Sequence, residues 1–280
     1  MMGGATITGA TRLYAIVGDP IAQVRSPEVF TQRFAEQGVD AVMIPLHVPA
    51  DRFDAIVPAL LALGNLDGVL VTVPFKARMA AHATRVGVTA ATIDAVNALR
   101  READGSWTGD MFDGVGFVRG AGRKGERIAG RRVTLFGAGG AGSAIGCALA
   151  QAGVASIDIV DTDARRAARL VETLTRAFPR CAFITARGVR DGNDMIVNAS
   201  LVGMRPDDGL PGAIGRLDPS TLVGDVVITP APTALIRHAT QCGCAWVDGR
   251  DMHGGQVDAL LAFFAGAARA GNASAPDAAH

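Results

Sequence analysis

The chain has no excess of charge of either sign. Lys and Arg number 27 together, as do Asp and Glu, so no net field draws in nucleic acid or an anionic membrane surface. Aromatic residues make up only 5% of the chain, too few for a base-stacking surface. Cysteine is scarce: Cys147, Cys181, Cys242 and Cys244 form no C-x-x-C pair and have no histidine at zinc-finger spacing. All four are read as reduced thiols of a cytoplasmic protein, with Cys147 packed in an apolar helix. His47, His82, His238 and His253 are scattered without metal-ligand spacing, so no metal is expected. His253 could line a cleft, although a plain helix-start position explains it better. The N-terminus lacks the apolar segment and early basic residues of a signal peptide, and no apolar run is long enough to span a membrane. The first ten residues and the tail from Gly271 read as loose.

What is present is apolar residues in alternating patterns. The hydrophobic fraction is 49% over 280 residues, enough for two cores of ordinary size. Strands are expected at 13–17, 41–48, 68–73 and 96–101, with helices at 26–37, 52–63 and 89–95 between them. Ser26 before Pro27, and Asp51, read as helix N-caps. A further helix begins near Asp110–Gly116, and the Gly/Arg/Lys-rich stretch 119–131 reads as a crossover between domains. Beyond it, strands are expected at 133–136, 157–160, 182–185, 194–198, 222–228 and 245–248. Helices are expected at 143–152, 163–178, 233–241 and 256–270, and 204–218 reads as a polar loop. The fold class is therefore α/β with two domains. A mostly parallel substrate domain covers 12–117 and is completed by a C-terminal helix at 251–271. A Rossmann dinucleotide-binding domain covers 118–250, with a cleft between the two.

The most informative stretch is Arg132–Gly153. An apolar strand leads into Gly137-Ala138-Gly139-Gly140-Ala141-Gly142, with glycines in the spacing G-x-G-x-x-G, then into a small-residue helix and a second strand ending at Asp161. Gly137 permits a tight turn, Gly139 lets a pyrophosphate approach the backbone, and Gly142 lets helix and strand pack closely. A carboxylate at Asp161, with Asp163 two residues on, accepts from ribose hydroxyls and repels a 2′-phosphate, so NAD is the expected cofactor rather than NADP. Arg165 and Arg166 are nearby, but a solvated helix face explains them.

Several motifs, in order along nearly the whole chain, resemble the shikimate dehydrogenase family, including shikimate/quinate dehydrogenases. They are Gly18-Asp19-Pro20-Ile21 with Ser26-Pro27, Val71-Thr72-Val73-Pro74-Phe75-Lys76, Ala95-Val96-Asn97, and Gly109-Asp110 with Asp113-Gly114. Beyond the glycine turn come Asn198-Ala199-Ser200 with Gly203-Met204, and Asp248-Gly249 with Gln256. The resemblance implies reversible oxidation of a ring hydroxyl with a nicotinamide cofactor, in a pathway of aromatic amino acid biosynthesis. It implies Lys76 and Asp113 as the catalytic pair, and Ser26, Thr72, Asn97 and Gln256 as contacts of the small-molecule substrate. Asn198, Ser200, Val226 and Gly249 join the glycine turn as cofactor contacts. From the residues alone, Lys76 follows a strand end, where parallel sheets bind ligands, and hydride removal requires a base for the hydroxyl proton. A solvated lysine and a helix-capping aspartate are equally good readings of those two positions taken singly. Thr72, Asn97 and Gln256 could equally be satisfied turn groups.

Four positions depart from the family. Val24, Leu70, Phe112 and Ile228 stand where a serine, an asparagine, a polar residue and a tyrosine are usual. The expected pocket is less polar, with shikimate a poor substrate and a different cyclic alcohol or ketone an alternative. Arg25 remains available to capture a carboxylate. The other alternative is a catalytically weak NAD-binding regulatory protein, against which the retention of both Lys76 and Asp113 counts. The chain is expected to be a monomer or homodimer.

Overall fold

The computed structural model describes residues 7–272, with side chains to residue 266. The expectations for residues 1–6 and 273–280 lie outside this range. Two compact units are present: residues through Met111 with those from Leu260 on, and Phe112–Ala259.

The first unit contains β1 (Arg12–Gly18), α1 (Ser26–Glu36), β2 (Ala41–His47), α2 (Phe53–Leu61), β3 (Leu66–Val71), α3 (Lys76–Ala80), β4 (Arg85–Val86), α4 (Val88–Ile93), β5 (Ala98–Arg101) and β6 (Trp107–Asp110). Its six-stranded sheet has the order β2-β1-β3-β5-β6-β4. β1 is apolar on both faces because it lies between two parallel neighbours, whereas edge strand β2 alternates toward its end. β5 runs antiparallel to both β3 and β6, and β4 pairs parallel with β6. The sequence pattern did not mark β4 or β6, which are only 2 and 4 residues long. The helix starts also differ by a residue: Arg25 and Arg52 occupy the N-cap positions expected of Ser26 and Asp51, without side-chain caps.

The second unit contains α5 (Asp113–Arg123), β7 (Arg132–Phe136), α6 (Gly140–Gln151), β8 (Ser156–Val160), α7 (Ala164–Ala177), β9 (Ala182–Thr185), β10 (Met195–Asn198), β11 (Leu222–Asp225), α8 (Ala234–Gln241) and β12 (Trp246–Asp248). α9 (Gly249–Asn272) follows, with residues to Ala259 counted here and those from Leu260 in the first unit. The sheet is parallel throughout, in the order β12-β11-β10-β7-β8-β9. Counted from β7 this is 3-2-1-4-5-6, the Rossmann order, with its switch point between β7 and β10.

Three expectations are corrected here. The stretch 119–131 is not a free crossover, because α5 runs to Arg123 and buries Gly120 and Ala121. The chain divides at Met111/Phe112 rather than near 118, and the first unit is rejoined from Leu260 rather than from 251. The loop 204–218 is polar in composition yet buries Ile214 and Leu217 against Phe136, Ile196 and Val223. Cys147 is packing, as expected: it is fully buried, and burial pushes its thiol up to about 12.

Candidate active site

In the first unit, the carboxyl edge of the sheet gathers three of the residues named for substrate, Ser26, Thr72 and Asn97. β1 and β3 are neighbours, and their exits are tied together. The Thr72 N–H donates to the Val17 carbonyl at 2.9 Å, and the Asp19 N–H to the Val73 carbonyl at 2.9 Å. Gly18 has no room for a side chain, since a Cβ there would lie 2.3 Å from Thr72 Cγ2. Lys76 opens α3 just beyond, half-buried, and its carbonyl accepts from the Val96 N–H at 3.0 Å. Asn97 comes next and is buried. Its carbonyl accepts from the Val71 N–H at 2.8 Å, and its N–H donates to the Asp110 carbonyl at 3.0 Å. The reversed direction of β5 explains this: an antiparallel strand starts where its parallel neighbours end.

Ser26 is buried at the first position of α1, on the segment leaving β1. Asp110, named only as part of a motif, has its carboxyl raised above the usual range by burial. It accepts from the Met111 N–H at 2.8 Å. Asp110 and Met111 close the first unit, while Phe112 and Asp113 begin the second, with Asp113 buried at the start of α5. Gln256 belongs to the second unit, not to the substrate unit as expected, and packs near Gly116 of α5.

Among the departures, Leu70 is buried inside β3, opposite Ile16 and Ala98. Val24 and Phe112 are half-buried, and Ile228 is 38% exposed. Arg25 is engaged on the surface by Glu28, its Nε donating at 2.6 Å.

The glycine turn lies at the switch point of the second sheet. Gly137 has φ +98°, and a Cβ there would lie 2.8 Å from the backbone of Ala199. A Cβ on Gly142 would lie 1.9 Å from the Gly137 carbonyl oxygen, so helix and turn touch. A Cβ on Gly139 would meet nothing within 4 Å. That open side, at the start of a helix without a side-chain cap, fits a pyrophosphate. The helix starts at Gly140 rather than Ser143, which brings Gly140 and Ala141 into its first turn.

Asp161 is turned toward this loop. Its Oδ2 accepts from the Ala138 N–H and its Oδ1 from the Asp163 N–H, both at 2.8 Å, and its side chain is 8% exposed. Asp163 is 43% exposed at the N-cap of α7, where the N–H groups of Arg166 and Arg165 hold its carboxyl below the usual range.

On the other side of the switch point, Val226 and Gly249 meet, since a Cβ on Gly249 would lie 2.4 Å from the Val226 carbonyl oxygen. Ser200 is half-buried nearby in sequence to Asn198. Asn198 itself does not fit its expected role. It has no exposed surface, and its amide is consumed by the protein. Nδ2 donates to the Val202 carbonyl at 2.9 Å and to Asp225 at 3.0 Å, while Oδ1 accepts from Ser200 Oγ at 2.6 Å and Ser200 N–H at 3.1 Å. The Asn198 side chain holds the loop. Asp225 and Thr233, which complete this cluster, were not singled out from the sequence. The available signal was an acid ending an apolar strand run. No group of metal-ligating side chains occurs among the described residues.

Comparison with known proteins agrees with this architecture. The family model described as the shikimate dehydrogenase substrate binding domain matches residues 16–99. A protein of Rubrobacter xylanophilus named shikimate dehydrogenase (NADP(+)) is 37% identical over 253 residues, covering 88% of each chain. The shikimate 5-dehydrogenase of Listeria monocytogenes, solved with shikimate and NAD, is 28% identical with a TM-score of 0.82 and covers 93% of each chain. The 5-ketofructose reductase of a Gluconobacter strain is 27% identical with a TM-score of 0.80, covering 91% of this chain and 93% of its own. With its motif series placed at the carboxyl edges of two sheets, the chain belongs to the shikimate dehydrogenase family, oxidoreductases that act on a CH–OH group using a nicotinamide dinucleotide.

Proposed function

We propose that the protein reversibly oxidises a ring hydroxyl using NAD, with Lys76 and Asp113 as the acid/base pair and a pocket poor in groups for a carboxylate. The observation that supports this reading best is the hydrogen bond from Val96 to Lys76, which sets Lys76 beside Asn97 at the carboxyl edge of β3. The bound dinucleotide supplies the hydride acceptor. Gly137–Gly142 and the start of α6 would hold its pyrophosphate, and Ser200, Val226 and Gly249 would serve its nicotinamide half. As hydride leaves the carbinol carbon, Lys76 takes the hydroxyl proton, with Asp113 sharing in that exchange. In reverse the pair returns the proton to the ketone oxygen. Thr72, Asn97, Ser26 and Gln256 orient the remaining hydroxyls.

The NAD preference rests on Asp163 more than on Asp161. The Asp161 carboxylate is largely buried and occupied by two backbone N–H groups, whereas Asp163 is half-exposed, with Arg166 3.7 Å from its Oδ2, and adds a negative charge near where a 2′-phosphate would come.

A second reading, an uncharged cyclic alcohol or ketone as the natural substrate, is favoured by Val24, Leu70, Phe112 and Ile228. The likeness to a ketofructose reductase agrees with it. Steady-state kinetics with shikimate, quinate and uncharged cyclic alcohols, each with NAD and NADP, tests both readings. Saturable turnover of shikimate at low concentration would overturn the apolar-pocket reading. Lys76→Ala should lower kcat by about 10²- to 10⁴-fold while leaving dinucleotide binding intact. An unchanged kcat would remove Lys76 from the chemistry.

A further inference from the structure

Asn198, Asp225 and Asp248 stand in register at the carboxyl ends of β10, β11 and β12. Asp225 is 1% exposed, and its partners are all neutral donors. Asn198 Nδ2 donates to its Oδ1 at 3.0 Å, the Val227 N–H to Oδ1 at 3.2 Å, and Thr233 Oγ1 to its Oδ2 at 2.6 Å. Burial pushes its carboxyl above the usual range, and Asp248 adds to the shift. A carboxyl buried among neutral groups is costly for folding, and an apolar residue in an apolar strand would avoid that cost.

What the carboxylate imposes is direction. Both Asp225 oxygens accept here, and the Asn198 amide turns its Nδ2 toward Asp225 Oδ1. That leaves Asn198 Oδ1 to take both Ser200 donors and sends the second Nδ2 proton to Val202. The Thr233 hydroxyl likewise donates to Asp225, which frees its lone pairs to cap α8 through the Ile236 N–H at 3.2 Å. Gly203 sits against the same threonine, and a Cβ there would lie 3.3 Å from Thr233 Cγ2. One buried group thus fixes the loop Ser200–Gly203, the strand end at Val226–Val227 and the start of α8.

We propose that Asp225 is a positioning residue for the nicotinamide half of the dinucleotide site, acting through Asn198 and Thr233 and touching no ligand itself. The inference rests on the dinucleotide reading above. It predicts a smaller effect of Asp225 on the adenosine end at Asp161 than on the nicotinamide half, because only Ala199 and Ser200 of the tied loop abut the glycine turn.

Calorimetric titration of the full chain with NAD and, separately, with ADP tests it. Asp225→Asn puts a donor in place of the oxygen that accepts from Thr233 and should weaken NAD binding about tenfold, while ADP binding stays within about twofold. Thr233→Val should show the same split, and Thr233→Ser should restore NAD binding. Thr233→Val is close to isosteric, so it keeps the test open if Asp225→Asn fails to fold. Equal weakening of NAD and ADP, or no change in either, overturns the positioning role. Wild-type protein that binds neither NAD nor ADP overturns the dinucleotide reading itself, and the positioning role with it.

Discussion

Asp161 and Asp163 stand two residues apart yet meet different partners. The sequence pattern pointed to Asp161, the acid at the strand end, but it could not show that the Ala138 and Asp163 N–H groups already occupy that carboxylate. The structure leaves Asp163 as the exposed carboxylate, and its own task is to cap α7. Asp163→Ser retains a capping oxygen and removes the charge. Its NADP/NAD affinity ratio should rise about tenfold by titration calorimetry, the scale of one relieved charge repulsion. An unchanged ratio would mean that selectivity lies elsewhere. Tyr14, the sole tyrosine, offers a second test at this scale. Burial raises its phenol to about 12, with Asp67 adding to the shift and Arg12 opposing it. The folded protein therefore keeps that proton to higher pH than the unfolded chain does. Stability from this group is complete below pH 10 and is lost as pH rises from about 10 toward 12. Tyr14→Phe should lose less stability than wild type across that window in chemical denaturation. Parallel curves would show that the buried phenol does not contribute.

At the scale of elements, the glycine turn makes two opposed predictions. Gly142→Ala places a methyl 1.9 Å from the Gly137 carbonyl oxygen, so the start of α6 must move away from the strand. Overpacking of this kind costs about 1–3 kcal/mol, and dinucleotide binding should fall with it. Gly139→Ala places its methyl in open space, so the melting temperature should not change. Binding of dinucleotide should nevertheless weaken, because the methyl occupies the side from which a pyrophosphate approaches. Differential scanning fluorimetry beside calorimetry separates the two. If Gly139→Ala binds dinucleotide as tightly as wild type, the pyrophosphate does not lie there. The spacing of the turn and its flanking strand and helix were legible in the sequence because each is a local pattern. β4 and β6 were not, since Arg85-Val86 and Trp107–Asp110 contain no apolar run and are strands through pairing with each other and, for β6, with β5.

At the scale of the molecule, α9 contributes residues to both compact units. In the first unit, Phe264 packs edge-on against Tyr14 with ring centroids 5.0 Å apart, and Arg100 Nη1 donates to the Phe263 carbonyl at 2.7 Å. Phe264→Ala should destabilise this unit by about 3–5 kcal/mol through the cavity it leaves. Limited proteolysis should then cut first within residues 12–111. Preferential cutting within the Rossmann unit would contradict that assignment.

The amino-acid sequence by itself determined the alternation of strands and helices and the dinucleotide turn. These follow from periodicity and from short motifs whose physical tasks are local. Tertiary structure alone decided that β5 runs backwards and so delivers Asn97 to the edge where Lys76 begins its helix. It also decided that Asn198 is spent on holding a loop, and that Asp225 lies beneath that loop. The reason is the same in each case: strand direction and the partners of a buried polar group are set by pairing between distant segments, which local periodicity does not record.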